Sequence, residues 1–462
     1  QSDKLDSLLE MVDLGTGEPA PTVKKSGPFD ALLQAITVDE TGTESVSSQP
    51  SEANLEKSAA EMLIAELDEI LGNQVNAILH HSEFQNLEAA WRGLKFLLDR
   101  MDFRKNIRLS VLPVRKNNLN EALYHQLLMP AYHGSIQELI DAPISVVIAD
   151  FEFSNTAEEL DRLADLAESM ASLQVPLLAG VGPAFFGKQR ASELATLPVL
   201  WQHLQRPEYA GWNALRDKIV SNYLVLPLPR FLLRFPYGSD NPVKDFQFIE
   251  SADHQLWGNA ALALAATVAR SFAETGWPTP LSGLRDGGKI ENLPLWNYSA
   301  SGVSARIPLE MKIPESKEVE LSEAGFAVLS CRPNDDAAHV AFAPVVHRPE
   351  KFDEAEANEE ARLHATLACQ LMTARIAQHL LRFERELTPG LAPEKLQTEL
   401  AAHLQALFKS AGTTLAAEAM TIEISESPEH ADRWYAALRL YTPEEILGRE
   451  TSVLMGLELP RV

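Results

Sequence analysis

The sequence predicts an α/β fold: mixed sheets with flanking helices, a flexible N-terminal tail carrying short helices, and a C-terminal region of strands. Three observations carry this expectation. The β-branched run PISVVIADFEFS (143–154), the helical TAEELDRLADLAESMASLQ behind Thr156, and VPLLAGVGPAFFG (175–187) follow one another at the rhythm of a parallel strand–helix–strand unit. Residues 1–57 are polar, acidic and turn-rich, as in GTGEPAPTVKKSGP and DETGTESVSSQPSEAN. Near the other end, MTIEISES (420–427), RWYAALRLYT (433–442) and TSVLMGLELP (451–460) read as strands, with Ile422 and Ile424 alternating with polar residues.

Totals narrow the function classes. The 462 residues are 45% hydrophobic, enough for a large core in more than one domain. Forty basic against 65 acidic residues give a formal charge of −25. Phosphate backbones repel such a chain as a whole, so nucleic acid is not an expected partner. Two cysteines, Cys331 and Cys369, cannot make a disulfide scaffold or a four-thiolate zinc site. The most membrane-like stretch, LWGNAALALAATVARSFA, carries Arg270 and many alanines and reads as a buried helix. No secretory signal is visible, and the expected location is the cytoplasm.

The elements follow in order. Within the tail, LDSLLEMV puts Leu5, Leu8, Leu9 and Val12 on one stripe, and FDALLQAI does the same with Phe29, Leu32, Leu33 and Ile36. Helices this short are marginal alone in water and read either as docking segments ordered by a partner or as helices packed back on their own domain. A long helix spans about 55–80, with Leu63, Leu67, Leu71 and Ile78 facing one way. HHSEFQNLEAAWRGL (80–94) then raises a metal question, because two histidines stand near a glutamate. Adjacent residues lie about 100° apart on a helix, so His80 and His81 cannot share one ion there; helical pairs that do are four apart. The expectation is a helix boundary, with Ser82 as N-cap and Gln85 completing a capping box. Phe84, Leu87, Trp91, Leu94 and Leu98 then form a helix-packing seam.

NIRLSVLPV (106–114) alternates and reads as a strand, EALYHQLLMPAYH as a helix, and PISVVIADFEFS as a buried strand. GVGPAFFG places Gly180, Gly182 and Gly187 after a strand, like a phosphate cradle. The spacing does not fit GxGxxG, and no Lys-Ser/Thr pair follows. A plain turn explains it better, although a phosphate- or nucleotide-binding α/β enzyme is the alternative it leaves. The triplet DGG (286–288) reads as a turn. No GxSxG, HExxH or CxxC occurs, so no catalytic residue, cofactor or metal ligand is assigned. The acidic FDEAEANEE reads as a solvated helix face. Arg230 and Arg234, set among Leu and Phe in LVLPLPRFLLRFPYG (224–238), are expected to bury their stems and meet carboxylates in structural ion pairs.

Taken together and in this order, SEFQNLEAAWRGLKFLLDR, ADFEFS, LVLPLPRFLLRFPYG, LWGNAALALAATVARSFAETGW, ELSEAGFAVLSC and KFDEAEANEEARLHATLACQLMTARIAQHL resemble the large sheath subunit of type VI secretion systems, the TssC/VipB family. The likeness runs from about residue 55 to the C-terminus. The link between AYHGSIQELID and PISVVIAD is compact, and two tail helices stand where the family typically shows one. The resemblance implies a contractile-tail-sheath-like fold and a non-enzymatic assembly protein. It implies a tail (1–57), a central α/β sheath domain (58–385) and a C-terminal inner-layer region (386–462) whose strands neighbouring subunits complete. The implied partners are a small TssB/VipA-like subunit, the Hcp inner tube, further copies of this chain in a helical tube, a baseplate that anchors the sheath at the inner membrane, and a ClpV-like AAA+ unfoldase. On that basis Phe29, Leu32, Leu33 and Ile36 form the unfoldase-docking helix, with Leu5, Leu8, Leu9 and Val12 as the alternative. Phe84, Leu87, Trp91 and Leu94 form the small-subunit seam, and Ile422, Ile424, Trp434, Leu438, Val453 and Leu457 lie on inter-subunit strands. A scaffold that does not contract is the remaining alternative within the family.

Overall fold

The computed structural model describes residues 52–133, 142–244, 246–251, 254–283, 287–300, 303–388 and 390–461. Both tail motifs, Leu5–Val12 and Phe29–Ile36, lie outside the described residues, as does Asp286 of the DGG triplet. The chain divides into two units. In the smaller, the first helix, α1 (Glu52–Leu79), contributes its residues up to Val75. There the backbone at Gly72 approaches the Phe248 ring, and Phe246 and Phe248 lie 5.8 Å apart.

The larger unit holds everything else. Its centre is a six-stranded sheet ordered β1-β2-β3-β9-β10-β6. The strands are β1 (Val147–Phe153), β2 (Leu177–Val181), β3 (Leu224–Leu228), β6 (Lys289–Ile290), β9 (Phe326–Cys331) and β10 (Ala338–Phe342). The first three and β9 run parallel; β10 and β6 close the far side antiparallel. The strands LLAGV, LVLPL and FAVLSC are buried at every position, as strands covered on both faces must be. β1 departs from the expected buried strand. It lies at the sheet edge, pairs only with β2, is half-buried, and slips register between Ala149 and Glu152. An apolar β-branched run reports strand propensity, but position in the sheet is set by what remains to pair with it.

Helices cover the sheet. In α5 (Ala157–Leu173), Thr156 Oγ1 accepts from Glu159 N and the helix stops at Gln174 with φ +56°. After α6 (Leu200–Leu204) comes α7 (Ala210–Asp217), which brings Trp212 against Phe326, stacked at 5.0 Å, with Phe185 edge-on. Two short antiparallel pairs flank them, β4 (Phe231–Leu232) with β5 (Trp257–Gly258), and β7 (Trp296–Ala300) with β8 (Val303–Ile307). The alanine-rich α8 (Ala260–Thr275) is buried from Ala260 through Ala269, with no membrane needed to explain it. Among the described residues no helix is long and apolar enough to cross a membrane. It ends at Gly276, φ +78°, where a Cβ would meet the Ala411 carbonyl oxygen at 2.8 Å. That close approach requires glycine.

Three expectations change in the N-terminal part of this unit. The helix after His81, α2 (Ser82–Arg100), has His81 as its N-cap, and no side chain caps it. Gln85 N bonds the His81 carbonyl at 2.9 Å, so the boundary lies one residue before the one a Ser82 capping box requires. NIRLSVLPV forms no strand. Its Leu109, Leu112 and Val114 pack against the core, while no neighbouring backbone supplies a ladder. EALYHQLLMPAYH is helical but uneven, with α3 (Leu119–Leu123), a π-helical turn (Tyr124–Leu128) and α4 (Met129–His133).

After α9 (Glu315–Glu323) and β9–β10, the acidic segment forms α10 (Ala355–His364), which buries no residue. Thr366 then caps α11 (Leu367–Glu386) by accepting from Cys369 N. From Cys369 onward α11 joins a second core, shared with Trp277, α12 (Pro393–Ser410) and the strands β11 (Met420–Glu426), β12 (Arg433–Thr442) and β13 (Thr451–Pro460).

At the α11–α12 junction His379 and His403 stack at 4.1 Å, and His379 Nε2 is buried without a hydrogen-bond partner. Burial, then the neighbouring His403, lowers the His379 pKa from its ordinary value of 6.5 to about 4. The unfolded chain therefore binds a proton that the folded one refuses. Stability is full above about pH 6.5 and is lost as pH falls towards 4. His379→Leu, measured by thermal unfolding between pH 7.5 and 4, should flatten that acid limb and leave the midpoint at pH 7.5 nearly unchanged. An unaltered limb means that other groups drive acid unfolding.

Candidate functional site

Arg230 and Arg234 emerge where β3 ends and β4 begins. The Arg230 guanidinium forks onto Glu310, with Nη2 at 2.6 Å from Oε1 and Nε at 2.8 Å from Oε2, and Glu152 stands 3.4 Å from Nη1. Arg234 is more enclosed. It donates to Glu250 through Nη1 at 2.6 Å and Nη2 at 3.0 Å, and to Glu88 of α2 through Nε at 2.8 Å. Tyr237 N also donates to Glu250, and Arg92 to Glu88. Burial by itself lowers both arginine pKa values; the carboxylates outweigh it and hold them above the usual value. Charge-assisted forks of this kind fix orientation as well as charge.

The same cluster answers the histidine question. His80 Nε2 lies 3.4 Å from Glu250 Oε1, and its ring stacks on His254 at 4.4 Å. His81 turns the chain into α2. Among the described residues, the His/Cys/Asp/Glu group close enough to share an ion is Glu429, His430 and Glu458, far from this pair in sequence.

The glycines of GVGPAFFG make room for side chains of this chain. A Cβ at Gly180 would lie 2.8 Å from Asn259 Cγ, and one at Gly182 would lie 2.8 Å from Glu152 Oε2. Asn259 is the N-cap of α8: its Oδ1 accepts from Ala261 N at 2.9 Å and its Nδ2 donates to Phe151 O at 3.2 Å. A cavity of about 480 Å³ does lie beside these turns, lined by Glu152, Ser154, Gly182, Lys188 and Arg230. Its arginine is already held by Glu310 and Glu152. The parallel strands β1-β2-β3-β9 also advance in one direction, with no reversal of order between them to open a crevice. Nothing here favours the enzyme alternative.

The apolar seam of α2 faces outward. Leu87 is 57% exposed and Trp91 67%, Phe84 and Leu98 are exposed, and Leu94 is half-buried. The face that packs inward is Gly93, Phe96 and Leu97. At Gly93 a side chain would strike Leu262 of α8, and Phe96 meets Phe231 at 4.6 Å. The heptad-like spacing thus marked a real apolar stripe. Among the described residues, no helix of the larger unit covers it.

The C-terminal strands form an antiparallel meander, β11-β12-β13. The six residues expected on inter-subunit strands are paired within this meander, and completion of its edges by neighbouring subunits is a separate matter. Ile422 stands opposite Leu438, Ile424 opposite Ala436, Trp434 opposite Leu459, Val453 opposite Leu440 and Leu457 opposite Ala436, all within one chain. Short connections between strands of matching alternation close the ladder locally. Ile422, Leu438 and Val453 are buried in the second core. Among the described residues, the outer edges of β11 and β13 carry no strand.

Sequence reading missed Glu88, Glu250, Glu310 and Asn259. Glu88 lies 146 positions from Arg234, so no spacing signals the pair. Only the two buried arginines announced that acids had to exist.

Comparisons with known proteins agree on one family. The VipB model (EvpB/VC_A0108, tail sheath N-terminal domain) matches residues 61–347. The type VI secretion system sheath protein TssC1 of Pseudomonas aeruginosa is 32% identical over 337 residues, covering 69% of this chain and 68% of that protein. Among solved structures, the sheath tail protein of Desulfitobacterium hafniense is 9% identical with a TM-score of 0.39, covering 77% of this chain and 62% of that one. The contracted helical sheath of the anti-feeding prophage is 13% identical with a TM-score of 0.31, covering 75% and 73%.

Proposed function

The chain belongs to the VipB tail-sheath family of type VI secretion systems, and from that premise we propose how it works: as the large subunit of a contractile sheath, it assembles with a small TssB/VipA-like subunit around an Hcp inner tube and shortens to propel it. The family is a structural one, and the work asked of the chain is assembly.

The observation that carries the reading is the C-terminal meander with two open edges. An edge strand presents unpaired N–H and C=O groups that another chain can satisfy. The ten-residue β13 and the seven-residue β11 offer one such row each. Strands lent by neighbours at these edges let bodies rotate while the mesh stays joined. The outward stripe Phe84, Leu87 and Trp91, with the half-buried Leu94 beside it, supplies the apolar face for the small subunit. Firing then needs no bound nucleotide: a difference on the order of a few kcal/mol per subunit between two packings, summed over many subunits, suffices. Phe29, Leu32, Leu33 and Ile36 are the proposed grip for a ClpV-like unfoldase, with Leu5, Leu8, Leu9 and Val12 the alternative. The sheath works in the cytoplasm on a membrane-anchored baseplate.

The test is co-expression with a TssB-like subunit, followed by negative-stain microscopy and amide hydrogen exchange. Tubes should form, and the 420–426 and 451–460 amides should exchange slower in tubes than in the free chain. Tubes without added protection there would remove strand lending; no tubes with any TssB-like subunit would remove the sheath reading.

A further inference from the structure

A cavity of about 380 Å³ opens between the last turn of α2, the middle of α8 and β6. Asp99, Glu291 and Asn292 stand exposed in its lining, and Arg100, Thr267, Arg270 and Lys289 line it alongside them. The charges are unevenly matched. Each acid already has a lysine: Lys95 holds Asp99 at 2.9 Å, and Lys289 pairs with Glu291. The next nearest acids, Asp335 and Asp336, act on Lys289.

The two arginines hydrogen-bond only to backbone oxygens, while Asp99 acts on Arg100 and Glu291 on Arg270 through charge without a direct bond. Arg100 lies flat on the Phe96 ring, 3.9 Å from its centre, and gives one N–H to the Glu291 carbonyl at 2.9 Å. Arg270 gives one N–H to the Gly287 carbonyl, and its Nε is buried with no partner. A guanidinium has five N–H donors, so most of this capacity is unused. Burial also pushes the Arg100 pKa down, the sign of a charge that has lost water without full compensation. A buried, unpartnered donor in a native fold calls for a missing acceptor.

We infer that this cavity is an oxyanion socket, in which Arg100 and Arg270 receive a carboxylate side chain of a neighbouring subunit in the assembled tube. The inference rests on the sheath reading above. Three features favour that source. The mouth opens among exposed residues. The volume admits a side chain rather than a bare ion. A second copy of this chain carries 65 acidic against 40 basic residues, so carboxylates outnumber cations among the groups a neighbour can offer. Paired N–H donors from a guanidinium match a carboxylate in the plane. Free phosphate is the other source of the same chemistry.

The experiment uses the full chain and the variants Arg100→Met and Arg270→Met, single and combined. Methionine keeps the apolar stem against Phe96 and α8 and removes the donors. Each variant loses one hydrogen bond to a backbone carbonyl, and Arg100→Met also its contact with the Phe96 ring, so the thermal midpoint of each free variant should fall only slightly and tube yield is compared well below it. Tube yield with the small subunit should drop roughly ten- to a hundredfold for the double variant, the scale of one charge-assisted contact per subunit. Arg270→Lys should recover only part of it. Tubes at parental yield from the double variant overturn the socket while the sheath reading stands. Parent protein that forms no tubes overturns both. Calorimetry with inorganic phosphate separates the sources: phosphate binding that the variants abolish, with tubes unaffected, overturns the neighbour's carboxylate in favour of a free ion.

Discussion

Arg234→Met should destabilise the isolated chain by about 3–5 kcal/mol, the cost of leaving one member of a buried ion pair without its partner. The size follows from enclosure. Arg234 has a side chain only 7% exposed, and that of Glu250 is 1% exposed. Without the guanidinium, Glu250 keeps one backbone donor, Tyr237 N, and the His80 ring. Glu88 is better protected, since Arg92 also holds it at 2.7 Å. The double variant Arg234→Met with Glu250→Gln should therefore recover much of the loss. Denaturant unfolding of the four proteins of that cycle measures both quantities. A single variant as stable as the parent would show that the pair contributes nothing net. The consequence reaches assembly, because this cluster ties α2, whose outer face carries the apolar stripe, to the chain after β4.

Gly180→Ala should cost about 3 kcal/mol, although it adds one methyl group. Glycine backbone freedom is not the issue. Its Cβ would lie 2.8 Å from Asn259 Cγ and 2.9 Å from Nδ2, closer than real atoms approach. Neither side can give way cheaply, because β2 is buried throughout and Asn259 caps α8 while holding the Phe151 carbonyl. Expelling Asn259 would cost the cap, about 1 kcal/mol, and strand the Phe151 carbonyl. Asn259→Ala alone should cost less, and the double variant much less than the sum of the two. Additive losses would mean that the two positions do not touch. A non-additive cycle would explain this glycine by a close approach inside the chain, with no phosphate required.

Periodicity and capping made much of the fold legible. The Thr156 cap, the α5 stripe, the buried alanine helix α8 and the three C-terminal strands could all be read from local pattern, because each is stabilised by residues three, four or two positions apart. The motif order SEFQNLEAAWRGLKFLLDR, LPRFLLRFPYG and LWGNAA marked the family. Its residues make close contacts in the fold: Gly93 against Leu262, Gly258 against Phe231 and Leu233, and Asn259 in the space left by Gly180. NIRLSVLPV was illegible for the opposite reason. Its alternation is real, yet a strand exists only when another backbone lies beside it.

The amino-acid order by itself determined which faces are apolar, the Thr156 cap that starts α5, and that Arg230 and Arg234 required acids. Tertiary structure alone decided which acids those are, that β1 lies at an edge, that the α2 stripe is exposed, and that β11, β12 and β13 pair with one another within the chain. The reason is range. Side-chain period is written in neighbours a few positions apart, whereas burial, strand pairing and charge pairing depend on residues brought together from a hundred or more positions away, and a chain carries no local mark of what will lie across from it.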